Sequence, residues 1–140
     1  MARDTLETLI RLAGSDVDEA RRSLQQVLAE EDKIRADIAD LEASIAAESE
    51  LIQRQPELSG NFGIFLVRAK QRREALDAAL AEVLPRVEAA RDRLAEAFAN
   101  QKKYEIAKQN RDAAAAEDEK RREGIVLDEM GLNAHRRRND

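Results

Sequence analysis

Along the first part of the chain, apolar residues recur at alternating steps of four and three. The series runs Leu6, Ile10, Ala13, Val17, Ala20, Leu24, Val27, Glu31, Ile34, Ile38, Leu41, Ile45, Glu48 and Ile52, and its phase never slips. Only Glu31 and Glu48 interrupt it. A sustained period of 3.5 residues marks the seam of a left-handed supercoil rather than a broad globular face. Between the seam positions lie mostly Glu, Asp, Arg, Gln and Ser, which solvate the outside. The pattern predicts a first helix over about 3–55, whose seam is about 70 Å long at 1.5 Å per residue.

The series stops at Gln55-Pro56. Proline disfavours helix in the residue before it, and Ser59-Gly60-Asn61 adds turn formers, so 56–61 is predicted to be a turn. A second seam then runs Phe62, Leu66, Ala69, Arg73, Leu76, Leu80, Val83, Val87, Ala90, Leu94, Ala97, Gln101 and Tyr104. It predicts a second helix over about 62–131, followed by a basic, disordered tail over 132–140. Pro85 lies on the flank of this seam. A proline there removes one backbone hydrogen bond, so it either bends the helix near Ala81 to Pro85 or ends it; the unbroken phase on both sides favours a bend.

Two seams joined by a short loop pack antiparallel. The predicted fold is all-α: a single domain over 1–140, built as a long, left-handed, antiparallel two-helix coiled-coil hairpin. In one register of this hairpin Ile52 faces Ala69, Ile45 faces Leu76, Leu41 faces Leu80 and Ile38 faces Val83. That register also sets Glu48 against Arg73, the charged interruptions nearest the loop. A slip of one heptad buries apolar surface nearly as well but separates that pair. The expected register is therefore the one with the Glu48–Arg73 pair, acting for specificity more than stability.

Composition agrees with a rod and excludes most alternatives. Aromatics are 3% and charged residues 38%, which suits an apolar seam better than a three-dimensional core. Two prolines and five glycines allow few turns, which argues against a sandwich, barrel or doubly wound sheet. The net charge of −5 is uneven: residues 1–60 carry 7 basic and 14 acidic side chains, and residues 61–140 carry 17 and 15. Segments of opposite bias attract when laid together. No apolar run approaches a membrane span, and Met1-Ala2-Arg3-Asp4 lacks a signal-peptide core. The expectation is a cytoplasmic protein with no direct membrane insertion.

Three places carry apolar surface that the hairpin does not obviously absorb. Near the termini Leu6, Leu9, Ile10 and Leu12 form a wide stripe, faced by Tyr104, Lys108, Arg111 and Ala115, which are too polar to cover it. Such a stripe marks an interaction site, unless Ile106, Ala107 and lysine stems cover it or the end frays. At the turn, Phe62, Ile64, Phe65, Leu66 and Val67 cover more than one helix face, which favours a partner site over a purely local cap. Past the charge run 117–123, a knot of Ile125, Val126, Leu127, Met130 and Leu132 precedes His135-Arg136-Arg137-Arg138.

No constellation for catalysis, cofactor or metal emerges. There is no cysteine, the single His135 lies in a basic tail, and Gly60 and Gly63 do not make a phosphate loop. Carboxylates on helix exteriors are solvating groups and i,i+4 partners, with no pocket to shift them. Nucleic-acid binding is disfavoured as well: the clusters at 120–122 and 136–138 are flanked by acids and lack interleaved aromatics.

The opening Leu6-Glu7-Thr8-Leu9, then Leu12-Ala13, Val17-Asp18 and Ala20, resembles the start of the flagellar FliJ proteins. The closing Leu127-Asp128-Glu129-Met130, with Ala134 and the arginine cluster, is similar to that family's C-terminal end. The resemblance covers the whole chain in length and layout. It implies a component of the bacterial flagellar type III protein export apparatus, related to the YscO-type proteins of injectisomes. Members are antiparallel coiled coils similar to the central stalk of rotary ATPases. Implied partners are the hexameric export ATPase, the cytoplasmic region of the export gate and the export chaperones, on the cytoplasmic side of the inner membrane at the flagellar base. The ring-inserting end corresponds to Leu6, Leu9, Ile10 and Leu12 with Lys108 and Arg111. The gate contact, an aromatic followed four residues on by an apolar side chain, corresponds to Phe65 and Ala69, the latter smaller than the family's residue. The alternative from the residues alone is a general coiled-coil scaffold or chaperone, one that could dimerise through the first helix.

Overall fold

A computed structural model describes residues 5–139 of the chain. Helix α1 spans Thr5–Arg54, a 3-10 turn spans Pro56–Asn61, and helix α2 spans Phe62–Asn139. No strand occurs among the described residues. The fold is an all-α two-helix hairpin. The start of the first helix at about residue 3 lies outside the described residues.

The break between the helices follows from the two residues at its head. Gln55 adopts φ −132° and ψ 77°, outside the helical region that a following proline disfavours. Pro56 then occupies the first position of the 3-10 turn, where its missing N–H costs nothing. The Gln55 N–H still closes on the Leu51 carbonyl at 2.9 Å, and the Leu58 N–H on the Gln55 carbonyl at 3.0 Å. No residue of the turn is buried.

The described residues fall into two compact units, one formed by 16–97 and the other by 5–15 with 98–139. In the first, Val17, Ala20, Ala69, Leu76, Val83, Val87 and Ala90 are buried, flanked by half-buried Leu24, Val27, Ile34, Ile38, Leu41, Ile45 and Ile52. In the second, Ala13 is buried and Leu6, Ile10, Gln101 and Tyr104 are half-buried. Every seam position expected on α1 is thus withdrawn from solvent, and on α2 only Leu66 departs, at 40% exposure. No polar or charged side chain is buried among the described residues. Two helices bury only a stripe of each other, so the seam is the whole core.

The register differs from the expected one. In the unit 16–97, Arg73 bonds to Glu42, Arg86 to Glu30, Arg72 to Asp37, and Arg93 to Glu19 and Ser23. In the other unit Lys108 reaches Glu7, and the α-carbon of Gly14 lies under the Gln101 amide. The residue numbers in most of these pairs add up to 115 or 116. Arg73 therefore lies about one heptad away from Glu48, and its second partner is Asp77 on its own helix at 3.0 Å. Turn length explains the correction. The expected register leaves residues 53–68 as a long connection and strips Phe62 of its α1 partner. The observed one folds back within seven residues and keeps Phe62 half-buried. Closing a shorter loop and packing one more seam residue outweigh a solvent-exposed ion pair, which is weak and replaceable. Arg73 illustrates the last point, having found two other carboxylates.

Two further features of α2 are now defined. The helix is continuous through Pro85, so the proline does not end it. Proline leaves the Ala81 carbonyl without its amide partner, and because Ala81 is exposed this group is open to solvent. Pro85→Ala should raise stability by about 1–3 kcal/mol, measured by thermal unfolding in circular dichroism. An unchanged midpoint would show that the helix does not run through this residue in solution. The second feature is a correction: α2 does not stop near Gly131 but continues to Asn139. Ala134 and Arg136–Arg138 are good helix formers, and the three arginines in the last turn face the negative end of the helix dipole.

Candidate interaction surfaces

A hairpin whose core is a seam offers its partners mainly what lies off the seam. In the unit 5–15 with 98–139, the stripe of Leu6, Leu9 and Ile10 is half-buried, whereas Leu12 points away and is 55% exposed. Lys108 contributes to the partial cover, its Nζ donating to Glu7 Oε1 at 3.3 Å across the helices. Arg111 donates to Asp112 at 3.2 Å. Ile106, a candidate cover for the stripe, is 45% exposed and does not serve as one. Further along α2, Ile125, Val126, Leu127, Met130 and Leu132 are all more than half exposed. With paired numbers adding up to about 115, the described start of α1 at Thr5 faces α2 near residue 110, and this knot lies further along α2.

In the unit 16–97, the surface around the turn is apolar on several sides. Ile64 and Val67 are 56% and 58% exposed, and Leu51, Leu58 and Leu66 are also exposed. Phe65 is half-buried and stacks on Phe62, with ring centroids 6.1 Å apart and planes at 18°. Of the expected contact pair, then, Phe65 is partly accessible, while Ala69 is buried in the seam at 5% exposure. The structure does not bring the two together on one open surface.

Electrostatics here is that of an exposed ladder. Arg86 donates through both terminal nitrogens to Glu30, at 2.7 and 3.3 Å. That fork holds the Arg86 guanidinium above its ordinary pKa, chiefly through the hydrogen bond to Glu30. Arg73 is raised likewise, first by its bond to Glu42 and then by that to Asp77. The cross-helix ion pairs among the described residues run from a cation on α2 to a carboxylate on α1, so the uneven charge of the two segments resolves into individual contacts. Neither arginine is a reactive group, and no cluster of three or more potential metal ligands exists among the described residues.

One exposed feature is missing from the sequence reading. Phe98, one residue past the seam position Ala97, is 40% exposed; a large apolar residue one step off a heptad position was the signal for it.

The whole chain, residues 1–140, matches the sequence pattern of the family described as "Flagellar FliJ protein". It belongs to the FliJ family. Membership places the chain among the components of flagellar type III protein export, a family without enzymatic activity. No curated protein and no solved structure matches it. No described helix is long and apolar enough to cross a membrane. The resemblance carried by the two ends of the sequence and by its layout agrees with this match over the full length of the FliJ-family chain.

Proposed function

We propose that this FliJ-family chain is a stalk and adaptor of flagellar type III export, linking the hexameric export ATPase to the export gate and escorting export chaperones. The observation that carries the reading is the match of the entire chain to the FliJ family, on a two-helix hairpin whose exposed apolar side chains among the described residues lie mostly off the seam. In this role Leu6, Leu9, Ile10 and Leu12, with Lys108 and Arg111, contact the ATPase ring. Phe65, partly accessible beside Phe62, contacts the gate; buried Ala69 supports it from within the seam rather than touching the gate. The protein works by making different contacts with different states of its partners, which shifts their populations, and performs no bond chemistry itself. Its place is peripheral, on the cytoplasmic side of the inner membrane at the flagellar base.

Capture on the cognate export ATPase tests the reading. The intact chain should be retained. Leu12→Asp should weaken retention about tenfold, the loss expected for one apolar anchor, while helicity stays unchanged because Leu12 is exposed. Failure of the wild-type chain to bind the ATPase, or a deletion strain that still swims, would overturn the role.

A further inference from the structure

The turn end of the unit 16–97 combines two features that a protein partner does not require together. Ile64, Leu66 and Val67 are exposed and, at about 100° per residue, project in three directions around the first turns of α2. Leu58, also exposed, adds a fourth aliphatic side chain from the 3-10 turn. The cap is thus convex and apolar on several sides, and its exposed members are aliphatic. A groove covers one face of a helix, and protein hot spots favour Trp, Tyr and Arg over Leu and Val. A fluid hydrocarbon phase covers all faces at once.

The second feature is charge. From Phe62 to Arg73 the chain holds Arg68, Lys70, Arg72 and Arg73 and no acidic residue. Arg72 and Arg73 are spent on Asp37, Glu42 and Asp77. Arg68 and Lys70 are exposed and have no ion pair among the described residues. They stand one to two helical turns behind Ile64, about 6–9 Å along the axis. That is the depth separating an acyl boundary from its phosphate groups, and long basic side chains reach it readily. Glu57 in the turn is the one acidic residue between Gln55 and Lys70, and the cations outnumber it.

We infer that the turn docks on an anionic phospholipid surface, with Ile64, Val67 and Leu58 entering the acyl boundary and Arg68 and Lys70 engaging lipid phosphates. This is shallow contact by a cap, not a span. It does not rest on the stalk reading, since retention on the ATPase and binding to lipid fail independently.

Flotation of the full chain with protein-free vesicles tests it. The chain should float with mixed phosphatidylglycerol–phosphatidylcholine vesicles and not with phosphatidylcholine alone, and added salt should release it. Ile64→Ser with Val67→Ser should lower the bound fraction about tenfold, as should Arg68→Gln with Lys70→Gln. These residues are exposed, so circular dichroism should report unchanged helicity for both double variants. Three results would overturn the inference: a wild-type chain that does not float with anionic vesicles; binding that vanishes on replacing Arg136, Arg137 and Arg138 by glutamine while both turn variants still float; and turn variants that lose retention on native membranes while protein-free vesicles bind nothing, which would assign the cap to a membrane protein.

Discussion

Val83→Asp should lower the thermal midpoint by about 10–15 °C, since a loss of about 3–5 kcal/mol is expected where a charge replaces a buried apolar group. Val83 is 2% exposed, the most enclosed large side chain among the described residues. The aspartate forfeits the valine's burial and must either desolvate a carboxylate or take up a proton. No cation is buried nearby to compensate, because no charged side chain is buried among the described residues. In a globular core the damage would be shared among layers. Here the seam is one side chain deep, so a single charge opens it. Val126→Asp is the matched control: the same change at a 51% exposed position should leave the midpoint nearly untouched. Equal midpoints for the two variants would show that the seam is not what holds the hairpin together.

How far the sequence could be read depends on what a heptad encodes. Burial has a period, so Leu6 to Ile52 and Phe62 to Tyr104 identify the inner face without knowledge of the partner, and Leu66 alone departs from it. Leu66 lies beside the turn, where α1 is ending and has little left to cover it. Register is different. Shifting one helix by seven residues returns every seam position to a seam position, so apolar matching hardly separates two registers. Among what remains, the Glu48–Arg73 pair is the weakest discriminator. Pro56 was the stronger one, because it sets where α1 must stop and how soon α2 begins.

The same reasoning applies to the two ends of α2. Gly131 suggested a stop because glycine favours helix C-termini. A glycine stops a helix only when the chain beyond it has something better to do. Here Leu132, Ala134 and three arginines all favour continuing, and Gly131 has no side chain of the fold within 4 Å of its β-position to force a turn. At the turn, the contact expected of Phe65 and Ala69 assumed that residues four apart share an open face. They do share a face, but Ala69 belongs to the seam, and its small side chain is what lets the helices approach there. A residue's neighbours along one helix are legible from spacing; which of them a second helix covers requires the register.

The register itself makes an all-or-none prediction. Ile45→Cys with Ala69→Cys should close an intramolecular disulfide under mild oxidation, while Glu48→Cys with Arg73→Cys should not. The native chain has no cysteine, so each pair is the only thiol pair in its variant. Cross-helix contacts whose numbers add up to about 115 bring Ile45 and Ala69, both withdrawn from solvent, to facing seam positions. The same register displaces Glu48 from Arg73 by about a heptad, or about 10 Å along the axis, beyond the roughly 7 Å α-carbon separation that a disulfide tolerates. Closing the loop across the turn should also add about 3 kcal/mol by restricting the unfolded chain, so the oxidised Ile45/Ala69 variant should melt higher than its reduced form. Non-reducing electrophoresis reads the first result and thermal melting the second. If the Glu48/Arg73 pair closed instead, the ion pair rather than the proline-headed turn would determine how the two helices align.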